Sequence, residues 1–270
     1  MWIDAEPTVV QVGGKAYQLY RLKQLCSVPP FFVITFQDPA EISDPKNQLI
    51  IHEQCLIKKF DLMAVRSSAS CEDSPQTSFA GMFKTVLGVK PPEIINAIRE
   101  VLGSIFNKRV ADYCEARSID QNKIRMAVIV QRMINSRVSG VCFTRSQDER
   151  GPILIEACFG LGEALVSGKI TPDLYIVDRG NFHITKETVG YQRFVLKLSE
   201  ESMTPFYEEL PFHKRNAKKL NNVQIVDVAR TSLVIEESLS LEVADVEWAF
   251  EKDSLYILQA RTFSGFKNDR

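Results

Sequence analysis

A β-hairpin is predicted by the stretch ADVEWAFEKDSLYILQAR, residues 244–261. Strand side chains alternate between two faces, so Asp245 and Glu247 share one face. Three apolar residues of the same strand fall on the other face: Val246, Trp248 and Phe250. The same alternation puts three residues of the second strand on one face: Ile257, Gln259 and Arg261.

A three-residue loop at residues 252–254 is predicted to set the register of this hairpin. With that loop, Glu247 lies opposite Gln259, and Asp245 lies opposite Arg261. One face of the hairpin then carries three oxygen-bearing side chains and one guanidinium.

This polar face has two interpretations. Mg²⁺ takes oxygen ligands, often one or two carboxylates together with nucleotide phosphates, and arginine binds phosphate with two parallel hydrogen bonds. The face is therefore typical of a metal-nucleotide site. An amphipathic hairpin whose polar face only meets water, with a cross-strand ion pair of roughly 0.2–1 kcal/mol, also fits these residues.

The bulk composition favours a globular protein in one large domain or two lobes. The chain has 270 residues, 45% of them hydrophobic, and a net charge of −1 from 33 basic and 34 acidic residues. This balance gives no long-range field for nucleic acid or an anionic membrane. No apolar run is long enough to cross a bilayer, and the N-terminus lacks a signal-peptide pattern, so we expect a soluble cytoplasmic protein.

The cysteines and histidines do not suggest a zinc site or a disulfide framework. The six cysteines are scattered, without a Cys-x-x-Cys spacing, and only three histidines accompany them. We expect most of the cysteines to be small buried hydrophobic residues.

Short strands and helices alternate along the chain and predict an α+β protein. In the first part we expect a strand at Val9–Val12, a turn at Gly13–Gly14, and a helix from Lys15 to Leu25. A strand at Leu62–Val65 is predicted to end at Arg66.

A long helix is predicted from Pro92 to about Arg117. The predicted domains are an N-terminal lobe at residues 1–122, a C-terminal lobe at 123–264 that contains the hairpin, and a tail at 265–270.

Several other segments have residue types that suit a nucleotide. Lys15 follows two glycines at a predicted helix start, where backbone amides and a lysine favour phosphate, although a plain turn before a helix is the simpler explanation of the glycines. Arg66 follows an apolar strand; a surface ion pair is the alternative. Gly81 lies in a small-residue loop before Thr85, which suits either a phosphate flap or an ordinary turn.

Two segments of the second half add weaker candidates. Gln131 continues the apolar strand Met126–Val130, where its amide either meets a planar ring or is merely solvated. Glu163 follows Gly160–Gly162 and is either a ligand or the start of a helix.

In this order, these segments resemble the N-terminal ATP-binding domain of phosphoenolpyruvate synthase and pyruvate, phosphate dikinase, an ATP-grasp fold similar also to that of rifampicin phosphotransferase. The ordered set covers nearly the whole chain, although each motif is short. The matching blocks are Val12–Lys15, Ala64–Ala69, Ser78–Gly81, Ser139–Thr144, Gly160–Glu163 and Asp245–Arg261.

The resemblance implies an ATP-grasp-like α+β fold in which two lobes with mixed or antiparallel sheets enclose a nucleotide cleft. It implies that Lys15 and Arg66 bind ATP phosphates, that Gly81 and Thr85 close a loop over them, and that Gln131 reaches the adenine.

For the hairpin, the resemblance implies that Glu247 and Gln259 hold Mg²⁺ and that Arg261 contacts phosphate. Asp245 and Glu163 are supporting candidates. The implied catalytic residues are Lys15, Arg66 and Arg261.

Members of this family carry their phosphoryl group on a histidine in a Gly-Gly-x-Thr-Ser-His context, and none of His52, His183 and His213 has that context. We therefore expect this chain to transfer a phosphoryl group from ATP to an acceptor it does not contain, such as a histidine of a partner domain. A stand-alone small-molecule kinase and a non-catalytic nucleotide-binding module are the alternatives. We do not expect conversion of pyruvate to phosphoenolpyruvate by this chain alone.

Overall fold

The computed structural model describes residues 7–36, 38–71, 73–74, 77–79, 81–145 and 151–263. The chain divides into two compact units. Unit 1 comprises the described residues of Met1–Tyr20, Pro29–Met133 and Glu200–Thr204. Unit 2 comprises those of Arg21–Val28, Ile134–Ser199 and Pro205–Arg270.

In the described residues of the first half of the chain there are four α-helices and six strands, and α1 ends in the first residues of unit 2. In chain order they are α1 (Val9–Leu22), β1 (Phe31–Thr35), α2 (Pro45–Ile57), β2 (Met63–Ala69), β3 (Asp73–Ser74), β4 (Thr77–Ser78), β5 (Thr85–Val89), α3 (Ile94–Gly103), α4 (Lys108–Ala116) and β6 (Met126–Arg132).

An antiparallel sheet in the order β1-β6-β2-β5 is the centre of unit 1. One face of this sheet packs against α3 in an apolar core. Strand β6 lies in this sheet, which therefore continues past residue 122. The core includes residues of both the strands and the helix: Phe32, Ile34, Met63, Val65, Val128, Val130, Ile94, Ile98 and Val101.

The N-terminal segment is helical where a strand was predicted. Residues Val9–Val12 belong to α1, so that prediction is wrong; Gln11 accepts a hydrogen bond from the Thr8 amide at 2.9 Å, as in a capping box. Gly13 interrupts the helix with φ 75° and ψ 168°, so the predicted turn is partly confirmed. The helix ends at Leu22, three residues before the predicted end.

The single helix predicted from Pro92 to Arg117 is wrong. The chain forms α3, a short 3₁₀ turn at Ser104–Phe106, and then α4. Asn107 starts α4, because its side chain accepts a hydrogen bond from the Val110 amide at 2.8 Å. A strong N-cap in the middle of the apolar pattern divides the helix.

The remaining elements belong to unit 2. They are β7 (Val138–Phe143), β8 (Ile153–Phe159), α5 (Glu163–Val166), β9 (Asp173–Val177), β10 (Ile184–Thr188), β11 (Phe194–Leu198), β12 (Pro205–Glu209), α6 (Asn222–Leu239), β13 (Ala244–Glu251) and β14 (Ser254–Thr262). No helix in the described ranges is both long and apolar enough to span a membrane.

A six-stranded antiparallel sheet in the order β10-β9-β8-β7-β13-β14 is the core of unit 2. Helix α6 packs against β13, β7, β8 and β9. Trp248 and Phe250 are buried on the apolar face of β13, with their rings edge to face at 5.7 Å, as predicted. Antiparallel sheets flanked by helices confirm the predicted α+β class.

The hairpin β13–β14 has the predicted residue pairing, but its turn is shorter than predicted and one strand contains a β-bulge. Glu247 lies opposite Gln259 and Asp245 lies opposite Arg261, as predicted. The turn, however, has two residues rather than three, since Glu251 pairs with Ser254. A register shift beside Glu247 restores the predicted pairing.

This β-bulge also corrects the face of Ile257. Ile257 pairs with Trp248, so it lies on the apolar face rather than with Gln259, and it is buried. Leu258 is the extra residue of the bulge. A bulge reverses the alternation of side chains, which sequence periodicity alone does not show.

Candidate functional site

In unit 1, the sheet face opposite the apolar core carries Arg66 and Gln131. Arg66 lies in the middle of β2, so the prediction that the strand ends there is wrong. Its register partners are Ile129 on β6 and Thr85 on β5. Gln131 is two residues beyond Ile129 and therefore shares this face.

Arg66 and Gln131 are in direct contact. The Arg66 guanidinium Nη1 donates to the Gln131 Oε1 at 3.3 Å, and the Gln131 Nε2 donates to the carbonyl of Pro29 at 3.4 Å. The Gln131 side chain is only 2% exposed. A buried amide between an arginine and a backbone carbonyl orients the guanidinium, so the predicted solvated alternative for Gln131 is wrong.

Ser68 connects the segment around Gly13 to the same face of the sheet. The Ser68 hydroxyl donates to the Val12 carbonyl at 2.6 Å and accepts from the Ala16 amide at 3.0 Å. Any Cβ on Gly13 would lie 2.3 Å from the Ser68 carbonyl oxygen. Lys15 belongs to the segment held in this way and is partly buried. Sequence analysis assigned no such role to Ser68.

Thr85 and Gly81 lie at the other edge of the sheet of unit 1. Thr85 is exposed, and it is the first residue of β5, directly opposite Arg66. Gly81 has φ 66° and an open surrounding, with no atom within 4 Å of an added Cβ. Part of the predicted small-residue loop, Ala80, lies outside the described residues. Unit 1 therefore brings Arg66, Gln131 and Thr85 to one sheet face.

In unit 2, Asp245 and Arg261 form an ion pair across the hairpin. The Arg261 Nε donates to the Asp245 Oδ2 at 2.9 Å, and the Nη2 lies 2.8 Å from the same oxygen. Burial raises the pKa of the Asp245 carboxyl, the Arg261 guanidinium lowers it, and the neighbouring Glu247 raises it; the net direction is upward. Asp245 is 6% exposed.

Glu247 and Gln259 form a second pair on the same face, two residues from Asp245 and Arg261 on their respective strands. Glu247 is partly exposed, whereas Gln259 is 5% exposed. Their oxygens are the hard donors that Mg²⁺ prefers, and two protein ligands leave room for phosphate oxygens. Among the described residues, no group of three or more histidine, cysteine or acidic side chains is placed to hold a metal ion.

Glu156 is a carboxylate on this face that sequence analysis missed. It pairs with Val141 of β7, and Val141 pairs in turn with Glu247, so the two carboxylates share a face with one strand between them. Burial raises the pKa of Glu156, and within the described ranges its carboxylate makes no hydrogen bond or ion pair. A lone carboxylate in the apolar run Ile153–Cys158 was the available signal.

Helix α5 covers part of the same face. Leu165 packs with Val141 and Cys158 in a small apolar cluster. Glu163 is the first residue of this helix and is exposed. The helix-start alternative for Glu163 is therefore confirmed, and a ligand role for it stays a prediction.

Block Ser139–Thr144 fixes the surroundings of the hairpin. The Ser139 hydroxyl donates to the Gly160 carbonyl at 2.6 Å and so holds the turn before α5. Gly140 lies between two strands, where an added Cβ would come 1.9 Å from the Glu156 carbonyl oxygen and 2.5 Å from the Trp248 ring. The role of this block depends on contacts with other strands, and no role for it was predicted from the sequence.

Two groups of residues thus emerge, one in each unit. The unit 1 group offers two cations, a hydroxyl and an amide: Lys15, Arg66, Thr85 and Gln131. The unit 2 group offers oxygen donors and a cation: Asp245, Glu247, Gln259 and Arg261. The unit 1 group suits the phosphates of a ligand, and the unit 2 group suits a divalent metal together with phosphate oxygens.

A family model described as "Pyruvate phosphate dikinase, AMP/ATP-binding domain" matches residues 39–269. The chain is 36% identical over 211 residues to a probable phosphoenolpyruvate synthase of Archaeoglobus fulgidus, covering 77% of this chain and 28% of that protein. It is 35% identical over 217 residues to a phosphoenolpyruvate synthase of Pyrococcus furiosus, covering 77% and 26%. The chain thus spans less than a third of the length of these relatives.

Similarity extends to a further curated protein and to solved structures. An uncharacterized phosphotransferase of Bacillus subtilis is 32% identical over 229 residues, covering 83% of this chain and 27% of that protein. Among solved structures, a D-alanine-D-alanine ligase of Helicobacter pylori aligns with a TM-score of 0.43 at 10% identity, covering 93% and 54%.

Proposed function

This chain belongs to the pyruvate phosphate dikinase AMP/ATP-binding domain family, and we propose that it binds Mg·ATP and transfers a phosphoryl group to an acceptor outside these residues. Membership in the family makes it an ATP-binding module of the phosphotransferase type. The observation that carries the proposal is the polar face of the hairpin, where Glu247 and Gln259 lie opposite each other beside the Asp245–Arg261 ion pair.

In unit 1, we propose that Lys15 and Arg66 bind phosphate oxygens of ATP. The contact between Arg66 and the buried Gln131 supports this role, because a guanidinium held by an amide loses less conformational freedom on binding. Thr85 and Gly81 are proposed to close over the phosphates. The position of Thr85 opposite Arg66, and the open surroundings of Gly81, are compatible with that task.

In unit 2, we propose that Glu247 and Gln259 hold Mg²⁺ together with phosphate oxygens of the nucleotide. The donor set fits this ion, since one carboxylate and one amide oxygen leave coordination sites for phosphate and water. A bound Mg²⁺ would neutralise charge on the phosphates. Arg261 is proposed to contact a phosphate with the guanidinium N–H groups that Asp245 does not use, while Asp245 sets its orientation.

The proposed mechanism is positioning and electrostatic stabilisation. In phosphoryl transfer, charge develops on the transferring group and on the leaving oxygen, and preorganised cations stabilise it. Lys15, Arg66 and Arg261 would supply that stabilisation without forming a covalent bond to phosphate. We propose no general base in this chain, because a neutral imidazole acceptor attacks through its unprotonated ring nitrogen and has no proton to lose there.

We propose a histidine of a separate domain or chain as the acceptor. This chain spans less than a third of its relatives' length, which is compatible with a carrier outside these residues. Product analysis separates this from a small-molecule kinase: AMP and phosphate indicate dikinase-type chemistry, whereas ADP alone indicates a simple kinase. No turnover with any acceptor indicates a binding module.

Calorimetric titration of ATP into the protein tests the proposal, with Mg²⁺ and with EDTA. We expect binding that requires Mg²⁺ for full affinity and that Glu247→Gln weakens about 10-fold, since the variant removes a charged ligand but keeps the side-chain shape. Glu242→Gln is the matched control, because Glu242 is exposed just before β13 and the charge change is the same. Equal affinities of the two variants would refute the metal role, and no binding by the wild type would refute the proposed function.

A further inference from the structure

Thr144 lies where strand β7 ends and contacts the first residue of β13. Its amide donates to the Ala244 carbonyl at 3.1 Å, and its hydroxyl oxygen accepts from the Ala244 amide at 2.8 Å. Both bonds fix Ala244, which directly precedes Asp245 in the chain. The Thr144 side chain is fully buried.

The Thr144 hydroxyl also has a fixed direction for its proton. It donates to the Glu236 carboxylate, which α6 presents to the sheet. A hydroxyl has one proton and two lone pairs, so donation to Glu236 leaves a lone pair for the Ala244 amide. The acceptor in α6 therefore determines how Thr144 holds the start of β13.

Two arginines keep Glu236 in place. Arg179 donates from Nη2 to the Glu236 Oε1 at 2.5 Å and from Nη1 to the Thr144 carbonyl at 2.8 Å, and Arg145 donates to the same carboxylate oxygen at 3.2 Å. Glu236 is 3% exposed. Burial acts to raise its pKa, but the hydrogen bonds from Arg179, Thr144 and Arg145 outweigh burial and hold it below its ordinary value.

We propose that Thr144 is a positioning residue for the phosphate contact of Arg261. Held by Glu236, it fixes Ala244, so that the adjacent Asp245 carboxylate meets Arg261 in one orientation. The proposal rests on the proposed function, since it assigns Thr144 to the same nucleotide site. A group of this kind contacts no ligand and acts through the residues that do.

Calorimetry of Mg·ATP binding to matched variants tests this. Thr144→Val keeps the shape but removes both bonds of the hydroxyl, and we expect it to weaken binding about 10-fold, while Thr144→Ser keeps binding within about 2-fold. Val138→Ala is the control for stability alone, because Val138 is a buried residue at the far end of the same strand, opposite Phe250. We expect it to bind as the wild type does.

A double-mutant cycle separates positioning from general loosening. If Thr144 acts through Arg261, then adding Thr144→Val to Arg261→Lys weakens binding by no more than about 2-fold further. Losses that multiply in the double variant, or Thr144→Val binding as tightly as Val138→Ala, would overturn the inference while leaving the proposed function intact. No Mg·ATP binding by the wild type would overturn both.

If Thr144→Val does not fold, a second variant and a second measurement still test the inference. Glu236→Gln retains an acceptor for Thr144 but loses the charge that holds Arg179, and we expect weaker Mg·ATP binding than for Val138→Ala. Hydrogen exchange of the amides of residues 244–247 should quicken in Glu236→Gln and Thr144→Val but not in Val138→Ala. Unchanged exchange in both variants would contradict the inference.

Discussion

Asp245 and Arg261 lie opposite each other on adjacent strands, and the Arg261 Nε and Nη2 atoms lie 2.9 and 2.8 Å from the same oxygen of the Asp245 carboxylate. One carboxylate oxygen therefore contacts two nitrogens of the guanidinium. A pair of this type is costly when the carboxylate is buried, because the charge loses its water.

Asp245→Asn should separate stability from binding. The raised pKa of Asp245 means that its charged form is less favourable in the folded protein than in the unfolded chain, chiefly because of burial. Stability contributed by this group therefore falls as pH rises from the ordinary carboxyl pKa, about 3.9, through the raised value. At pH 7 the variant should equal or exceed the wild type in stability, and near pH 3.5 this advantage should vanish.

The same variant should bind Mg·ATP about 10-fold more weakly, since Arg261 loses its charged acceptor. Urea unfolding at the two pH values and calorimetry at pH 7 are the measurements. Asp227→Asn, at an exposed position of α6, is the control. A variant less stable than the wild type at pH 7 would contradict the assignment of burial as the dominant influence.

Gly13→Ala should destabilise the protein by about 1–3 kcal/mol. Gly13 has φ 75°, which alanine adopts only with strain, and its Cβ would collide with Ser68. Gly103→Ala is the matched control, because Gly103 ends α3 with no atom within 4 Å of an added Cβ. It should be neutral or stabilise by about 0.5–1 kcal/mol. Thermal unfolding of both variants decides; equal melting temperatures would show that the Gly13 backbone relaxes freely.

Lys219→Met should be among the most damaging single substitutions in unit 2. Its ammonium is fully buried, 2.7 Å from Asp173 and 2.8 Å from the Gly190 carbonyl. Removing the lysine leaves the Asp173 carboxylate buried without its ion partner, which typically costs about 3–5 kcal/mol. Chemical denaturation measures the loss.

Lys218→Met provides the comparison for that loss. The neighbouring Lys218 forms a partly exposed ion pair with Glu187 at 2.7 Å, and such pairs contribute about 0–1 kcal/mol. A loss at Lys219 no larger than the loss at Lys218 would show that Asp173 becomes hydrated or neutral. Adding Asp173→Asn to Lys219→Met should recover part of the stability.

The hairpin was predictable because its signals are local. Alternation of polar and apolar residues predicted the two faces, and the assumed three-residue loop predicted the pairing of Asp245 with Arg261. The turn length was not predictable in the same way, because a two-residue turn with a bulge and a three-residue turn without one lead to the same pairing. Ile257 was assigned to the wrong face for this reason.

The first helix shows a different limit. A short apolar run such as Val9–Val12 suits a strand or a helix, and periodicity alone does not decide. The Thr8-x-x-Gln11 spacing is typical of a helix N-terminus and could have predicted the helix. The hydrogen bond from Ser68 to Val12 could not be predicted from a local pattern, because it joins residues 56 positions apart. Long-range contacts of this kind place Lys15 near β2.

The polar groups of the two units were predicted from a family resemblance rather than from physical chemistry alone. Arg66, for example, looked like a strand-end cation, yet it lies within β2 and is contacted by Gln131. Glu156 and Thr144 were missed because each is a single polar residue in or beside an apolar strand. Their roles depend on neighbours in other strands and in α6, and a local sequence pattern does not predict such contacts.

Because of the bulge at Leu258, the length of the hairpin does not by itself determine whether Glu247 lies opposite Gln259. A chain that is one residue shorter here keeps Glu247 opposite Gln259 by losing the bulge, and a chain one residue longer keeps it by lengthening the turn. The pairing of Glu247 with Gln259 is therefore compatible with a change of one residue in the length of the segment between them. A one-residue gap in an alignment at this point is no sign that the pair has been lost.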